Sequence, residues 1–242
     1  MGSAKSLATH WYFKCRILSV TRRSFLPPAV AFAARAGLGT TSLALPPPHT
    51  KGEVSLEHCL FERRSVRSFK NAALPLSDLS QLLWAAQGIT AEGYLRTAPS
   101  AGALYPLDVY LAAGDVDGLP PGLYRYLPKR HELTLEKAGD LRPELARAAG
   151  GQDCVANAAA IILFAAIYTR TSGKYGQRAT RYVHLEAGHA AQNVCLQATA
   201  LGLGTVTVGA FEDDEVKRVA ALPQSHEPVY LMPIGLMPAA PR

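Results

Sequence analysis

The first 52 residues contain no aspartate or glutamate, although they hold seven of the chain's 25 Lys and Arg residues: Lys5, Lys14, Arg16, Arg22, Arg23, Arg35 and Lys51. The formal charge of +6 comes from this segment alone, because residues 53–242 carry 18 basic against 19 acidic side chains. A nucleic-acid partner would need a basic excess on the globular part, so that class is set aside. Paired cysteines are missing too. Cys15, Cys59, Cys154 and Cys195 are scattered without a CxxC, which supports neither a metal site nor a disulfide framework. The longest uncharged run, Cys154 to Tyr168, is too short for a stable membrane span and contains Asn157. It reads as a buried strand with its approach.

Familiar catalytic signatures are also absent. Gly202-Leu203-Gly204 with Gly209 is not GxGxxG, and it follows a helical pattern instead of opening one. His184 and His189 are five apart and do not share a helix face as the histidines of HExxH do. Neither GxSxG nor a P-loop occurs. Zinc hydrolase, serine hydrolase and P-loop NTPase chemistry all lose support.

What is present is a 242-residue chain, 48% hydrophobic, enough for one sizeable core. In the acid-free leader, Thr21-Arg22-Arg23-Ser24-Phe25-Leu26 resembles a twin-arginine export signal. A weakly apolar stretch follows, with Ser42-Leu43-Ala44 as a candidate cleavage site and Leu45-Pro46-Pro47-Pro48 as a linker. Residues 1–52 are expected to be leader and 53–242 a folded domain, exported to the periplasm by the twin-arginine machinery. The alternatives are a basic tail on a cytoplasmic protein or an organellar transit peptide.

Within the domain, Ser55 can cap a short helix carrying Leu56, Cys59 and Leu60. Ser77 can cap a second, with Leu79, Leu82, Leu83 and Ala86 on one face and Gly88 as its stop. Val109–Ala112 reads as a strand, and Leu123–Tyr126 with Leu133–Leu135 as a hairpin. Residues 141–149 read as helix, and the unbroken run 160–166 as a strand covered on both faces. Val183, Ala187, Ala190, Val194, Ala198 and Leu201 form one long helical stripe. Residues 205–208 and 229–234 read as strands. Strands and helices without regular alternation predict an α+β fold, one sheet with helices packed on it.

Two stretches bear on chemistry. Arg63, Arg64, Ser65 and Arg67 put three guanidiniums and a hydroxyl into five residues. Such a set can hold a phosphate dianion, or it can be a solvated charge cluster. If residues 65–69 are extended, Ser65 and Arg67 share one face and Val66 takes the other. The second stretch, Ala98-Pro99-Ser100-Ala101-Gly102-Ala103-Leu104-Tyr105-Pro106, has small residues that let backbone approach a ligand; a plain turn is the alternative.

RRSVRSF, LLWAAQGI, RTAPSAGALYPLDVYL, GLYRY, KYGQRATRYVHLEAGHAAQN and LGLGTVTVGAF occur in one order across residues 53–238. Together they resemble the SagB/ThcOx-type dehydrogenase branch of the nitroreductase family. That resemblance implies an α+β nitroreductase-like sandwich with one mainly antiparallel sheet, bound FMN, and a homodimer whose interface forms the flavin sites. It implies that Arg63 and Ser65 hold the FMN phosphate with Arg64 close by, and that Arg67 lies near flavin N1 and O2. Pro99, Ser100, Ala101 and Ala103 match the loop that reaches the flavin from the partner chain. Val208, Gly209 and Ala210 match the segment whose backbone faces N5, and Arg242 is the available C-terminal cation. Lys174 and Tyr175 resemble the acid/base pair of azoline-oxidising members, a lysine there acting as a base if burial lowers its pKa; a surface loop is the alternative. The implied function is hydride transfer between substrate, a small molecule or a peptide azoline, and flavin N5. NAD(P)H-dependent nitro or quinone reduction is one alternative, and a non-catalytic flavin-binding protein or scaffold is another.

Overall fold

A computed structural model of the chain describes residues 42–91 and 95–238. The twin-arginine motif and Arg242 lie outside the described residues. The fold is α+β: a seven-stranded sheet ordered β1-β6-β5-β3-β7-β9-β8, antiparallel at every pairing, with helices on both faces. In chain order the main strands are β1 (Ser42–Ala44), β3 (Leu107–Ala113), β5 (Gly122–Leu127), β6 (Glu132–Ala138), β7 (Ala160–Ala166), β8 (Leu203–Thr205) and β9 (Glu227–Leu236). Two short strands, β2 (Leu74–Pro75) and β4 (Val116–Asp117), form a separate parallel pair.

β7 shows why the central run carries no polar residue. Ala160, Ile162, Phe164 and Ala166 face the cluster built on α2 (Leu76–Gln87) and α6 (Ala179–Ala200). Ile161, Leu163 and Ala165 face the opposite cluster, under α3 (Arg142–Ala148), α4 (Asp153–Ala156) and α7 (Asp213–Val219). Both faces are dry, so period-two alternation disappears. The helical stripe predicted from Val183 to Leu201 is α6, whose Val183, Ala187, Ala190, Val194 and Ala198 are buried.

α1 (Leu56–Glu62) has the expected cap: the Ser55 hydroxyl accepts from the His58 N–H at 3.2 Å. α2 differs. It starts at Leu76 behind Pro75, whose fixed φ suits entry to a helix, and Ser77 lies inside its first turn with no capping role. The strand expected at 205–208 is shifted to Leu203–Thr205, and Val208 makes only an isolated bridge to Leu231.

The fold also includes residues assigned from sequence to the leader. Ser42-Leu43-Ala44 is edge strand β1, paired with Glu132, Leu133 and Thr134. Leu45 is buried, the Pro46 carbonyl accepts from Ser80 Oγ at 2.6 Å, and Gln81 bonds His49 through both its carbonyl and its amide. A three-residue strand followed by three prolines has no period to read, so this edge is invisible without its partner β6. Among the described residues no helix is long and apolar enough to cross a membrane, and no group of His, Cys, Asp or Glu could hold a metal ion.

Candidate functional site

The arginine stretch follows α1 and runs across the ends of β8 and β9. Val66 donates its N–H to Thr205 O at 2.9 Å, and Lys70 donates to Leu236 O at 2.9 Å. Two glycines opposite each other in the β8–β9 register, Gly204 and Gly235, open a notch beneath it. A Cβ on Gly235 would lie 2.6 Å from Phe69 Cγ, and one on Gly204 would lie 2.6 Å from Val66 Cγ1. Both glycines are therefore needed for close approach. Val66 and Phe69 key into the notch, which leaves Ser65, Arg67 and Ser68 exposed; the expected alternation holds for residues 65–67 and breaks at Ser68, where the chain turns Phe69 inward.

Arg64 is partly used already: its Nη1 donates to Phe61 O and to Arg63 O, each at 2.8 Å, closing the C-terminus of α1. Arg63 lies near enough to Cys195 on α6, and Arg67 near enough to Cys154 on α4, for each cation to counter the burial that pushes those buried thiols up. The 208–210 segment packs near the same helix α4. Val208 is buried, Gly209 and Ala210 are exposed, and Gln152 Nε2 beside α4 donates to Ala210 O at 3.1 Å.

A second group lies at the other end of the sheet. Pro99, Ser100, Ala101 and Ala103 sit in a loop with positive φ at Gly102 (63°), Ala103 (54°) and Tyr105 (47°). Left-handed backbone at two non-glycine residues is costly and persists only where surroundings enforce it. Here they do. Ser100 Oγ accepts from the Tyr105 N–H at 2.9 Å and is also hydrogen-bonded to the buried carboxyl of Glu186 on α6. Gln87 donates to Glu186 Oε1 at 3.4 Å and accepts from Arg96 at 2.9 Å. The Arg96 guanidinium lies 4.3 Å from the centre of the Tyr105 ring. Arg170 donates to Tyr105 O at 3.2 Å, and Asn193 donates to Thr97 O at 3.2 Å.

Lys174 and Tyr175 close α5 (Thr169–Tyr175), at the end of a helix and not in a loop. They flank the same strained turn. A Cβ on Gly102 would meet Lys174 Nζ at 2.8 Å and the Tyr175 hydroxyl at 2.9 Å. Lys174 is exposed in the single chain and Tyr175 half-buried, stacked edge-on against Tyr182 at 4.9 Å.

Three residues were missed in the sequence. Glu186 is 2% exposed, and burial pushes its carboxyl up to about 7 against the opposing pull of Ser100, Gln87 and Arg96. Its position three after Val183 and four before Ala190, on the stripe predicted to be buried, was the available signal. Asp108 on β3 binds Arg125 Nη2 at 2.6 Å, Arg170 Nη1 at 2.7 Å and His226 Nε2 at 3.1 Å. Burial alone would raise Asp108, but these partners carry it below the ordinary carboxylate value. Arg96 and Asp108 carried no signal beyond their charge.

The structure thus keeps Arg63, Arg64, Ser65 and Arg67 on one strip, links Arg67 and Ala210 to the same helix α4 through Cys154 and Gln152, and brings 99–103 together with Lys174 and Tyr175. On α6, Cys195 beside Arg63 and Glu186 beside Ser100 are about 13 Å apart along the axis at 1.5 Å per residue.

Comparison with known proteins agrees with this architecture. A Methanocaldococcus jannaschii protein named as a nitroreductase is 46% identical over 183 residues, covering 76% of this chain and 91% of its own. The crystal structure of a Ralstonia eutropha protein, also described as a nitroreductase, superposes with a TM-score of 0.73 at 34% identity, over 82% of this chain and 90% of that one. TfxC, the trifolitoxin operon protein of Rhizobium leguminosarum, is 24% identical over 213 residues, 81% of this chain and 60% of its own. Residues 60–236 match the Nitroreductase family, and the chain belongs to that family of oxidoreductases.

Proposed function

We propose that the chain is an FMN-dependent oxidoreductase that moves hydride between a substrate and flavin N5, in the SagB/ThcOx-type branch of its family. The observation that carries this reading is the row of Arg63, Ser65 and Arg67, presented by a strip that Val66 and Phe69 key into the glycine notch. The donor set fits the cofactor: forked guanidiniums and a hydroxyl match a phosphate dianion. Among the described residues, the guanidiniums of Arg63 and Arg67 make no hydrogen bond to the protein.

Bound FMN would supply reversible two-electron chemistry at N5. Arg63 and Ser65 hold the phosphate, with Arg64 beside them. Arg67 offsets the negative charge that reduction brings to the N1–O2 side. The backbone at Val208, Gly209 and Ala210 offers an N–H toward N5. Pro99, Ser100, Ala101 and Ala103 come from a second copy of the chain. Leu56, Leu60 and Phe61 on α1 support that copy, because Phe61 alone is 72% exposed in the single chain. Lys174 and Tyr175 take or return the substrate proton, the partner supplying the cover that one chain lacks.

A second reading, NAD(P)H-dependent reduction of nitro or quinone compounds, is favoured by the M. jannaschii relative. One experiment tests both. Purified chain loaded with FMN should show a bound flavin spectrum, and anaerobic addition of candidate donors should bleach it. Bleaching by NADPH favours the reductase, whereas bleaching only by a dehydrogenation substrate favours the dehydrogenase. A chain that never retains flavin rejects the whole proposal. Export of the loaded chain rests on Thr21–Leu26 alone; retention in the cytoplasm of a twin-arginine-competent host would reject it.

A further inference from the structure

Where β3 begins and β5 ends, the structure holds a cavity of about 570 Å³. Its charged lining is lopsided: Arg96, Arg125, Lys129, Arg130 and Arg170 against one carboxylate, Asp108. Its apolar wall includes Leu104, Leu107, Val109, Tyr126 and Leu127. We propose that this cavity anchors an organic anion, its carboxylate or phosphate held by Arg96, Arg125 and Arg170 and its apolar body lying against Leu107, Tyr126 and Leu127.

The arginines are already positioned for such a guest. Asp108 ties down Arg125 and Arg170 at once, and a single carboxylate cannot neutralise both. Each guanidinium has five N–H donors, so most stay available after Asp108 is served. Arg96 is fixed by Gln87 and by the Tyr105 ring, and its Nε is buried without a hydrogen-bond partner. Arg130 pairs with Glu132 at 3.3 Å on the rim. Bracing the strained turn accounts for the bond from Arg170 to Tyr105 O and for Arg96 over the Tyr105 ring, but not for Arg125 or for the buried, unpartnered Nε of Arg96. A ligand anion does, since a shielded cation gains most from a charged, forked acceptor. The volume is that of a small-molecule site.

Ala103 and Tyr105 of the strained turn form one wall of the cavity. The anion is therefore assigned as part of the substrate of the proposed oxidoreductase. That assignment rests on the flavin reading; the anion site itself does not.

Calorimetric titration of the FMN-loaded protein with benzoate, phenyl phosphate and the neutral isostere benzamide tests the site. Loading FMN first occupies the Arg63–Arg67 row. At least one anion should bind at least tenfold more tightly than benzamide, and added salt should weaken it; the better of the two identifies carboxylate or phosphate as the preferred head group. Arg170→Gln should weaken anion binding at least fivefold, and Arg130→Gln, on the exposed rim, about twofold. If Arg170→Gln fails to fold, Arg96→Gln takes its place with the same expected loss. Equal binding of benzamide, no binding of either anion, or wild-type affinity in a folded Arg170 or Arg96 variant would overturn the proposal. A protein that retains flavin but binds neither anion loses the anion site alone. One that never retains flavin yet binds anions through Arg170 keeps the site and loses the flavin reading.

Discussion

Two regions of this molecule present groups for chemistry, and they are held by opposite means. The 63–70 strip is keyed by apolar side chains into a gap where two glycines lack a Cβ, and its charges point away from what holds it. The 96–105 turn is held by polar groups: Glu186, Gln87, Arg96 and Arg170 reach it from α6, α2, its own start and α5, with Asp108 on β3 fixing Arg170. The first arrangement separates anchoring from function, so its arginines are free to meet a ligand. The second merges them, because the groups that fix the turn are themselves charged and titratable. The first should fail through sterics and be indifferent to pH. The second should depend on pH.

The largest effect should come from filling the notch. Gly235→Val would force Phe69 away, since even a Cβ there lies within 2.6–2.8 Å of three Phe69 atoms. The strip would lose its register, and with it the alignment of Arg63 and Ser65. Losing two charge-assisted hydrogen bonds costs about 3–6 kcal/mol, more than 100-fold in affinity. FMN binding, followed by quenching of flavin fluorescence, should therefore fall by about that factor. Gly188→Ala, on the exposed face of α6, is the control: a Cβ there meets nothing within 4 Å. Undiminished FMN binding in Gly235→Val would show that the strip is not held by the notch.

The next effect is on the second region. Burial holds the Glu186 carboxyl near 7, above its unfolded value. A raised carboxyl contributes stability that is fully present below about pH 4.5 and is lost as pH rises through about 7. At 1.36 kcal/mol per unit the loss is about 3 kcal/mol. Glu186→Gln should remove this slope, as read from urea unfolding at pH 5 and pH 8. The difference between wild type and variant also cancels His131, whose imidazole burial pulls it below its ordinary value and so acts in the opposite sense. The same slope in both proteins would mean that Glu186 is not the titrating group.

The contrast also explains what could be read from the sequence. The strip is local: three arginines in five residues, with Ser65 and Arg67 opposite Val66, are properties of adjacent positions, and the structure keeps them up to Arg67; Phe69 turns inward out of phase because Gly235 leaves room for its ring. The same holds for β7 and α6, whose periods survive because each packs along its full length. The notch was not legible, since Gly204 and Gly235 become partners only through the β8–β9 register. β1 stayed hidden because three residues beside prolines have no period until β6 lies alongside. Ser77 had the chemistry of a cap but lost that place to Pro75, two residues earlier than the pattern suggested. The turn at 99–105 showed its small residues but not what enforces its positive φ values. Gln87, Glu186 and Asp108 come from elements far apart in sequence, and a charge on a stripe says nothing of its partner.

The smallest effect separates the three arginines that look alike in sequence. Arg64 spends Nη1 on two carbonyls that end α1, whereas the guanidiniums of Arg63 and Arg67 make no hydrogen bond to the described residues. Arg63→Ala and Arg67→Ala should each weaken FMN binding about tenfold or more, the value of one charge-assisted hydrogen bond. Arg67→Ala should in addition lower the flavin reduction potential, because the cation compensating the reduced ring is gone. Arg64→Ala should weaken binding no more than about threefold and lower stability by about 1 kcal/mol, the usual worth of a helix-end hydrogen bond. Titration of the three variants with FMN, paired with urea unfolding, gives both quantities. An Arg64 variant as impaired in binding as the other two would mean that its carbonyl bonds give way when the phosphate arrives. Anchoring and function would then be merged in the strip as they are in the 96–105 turn.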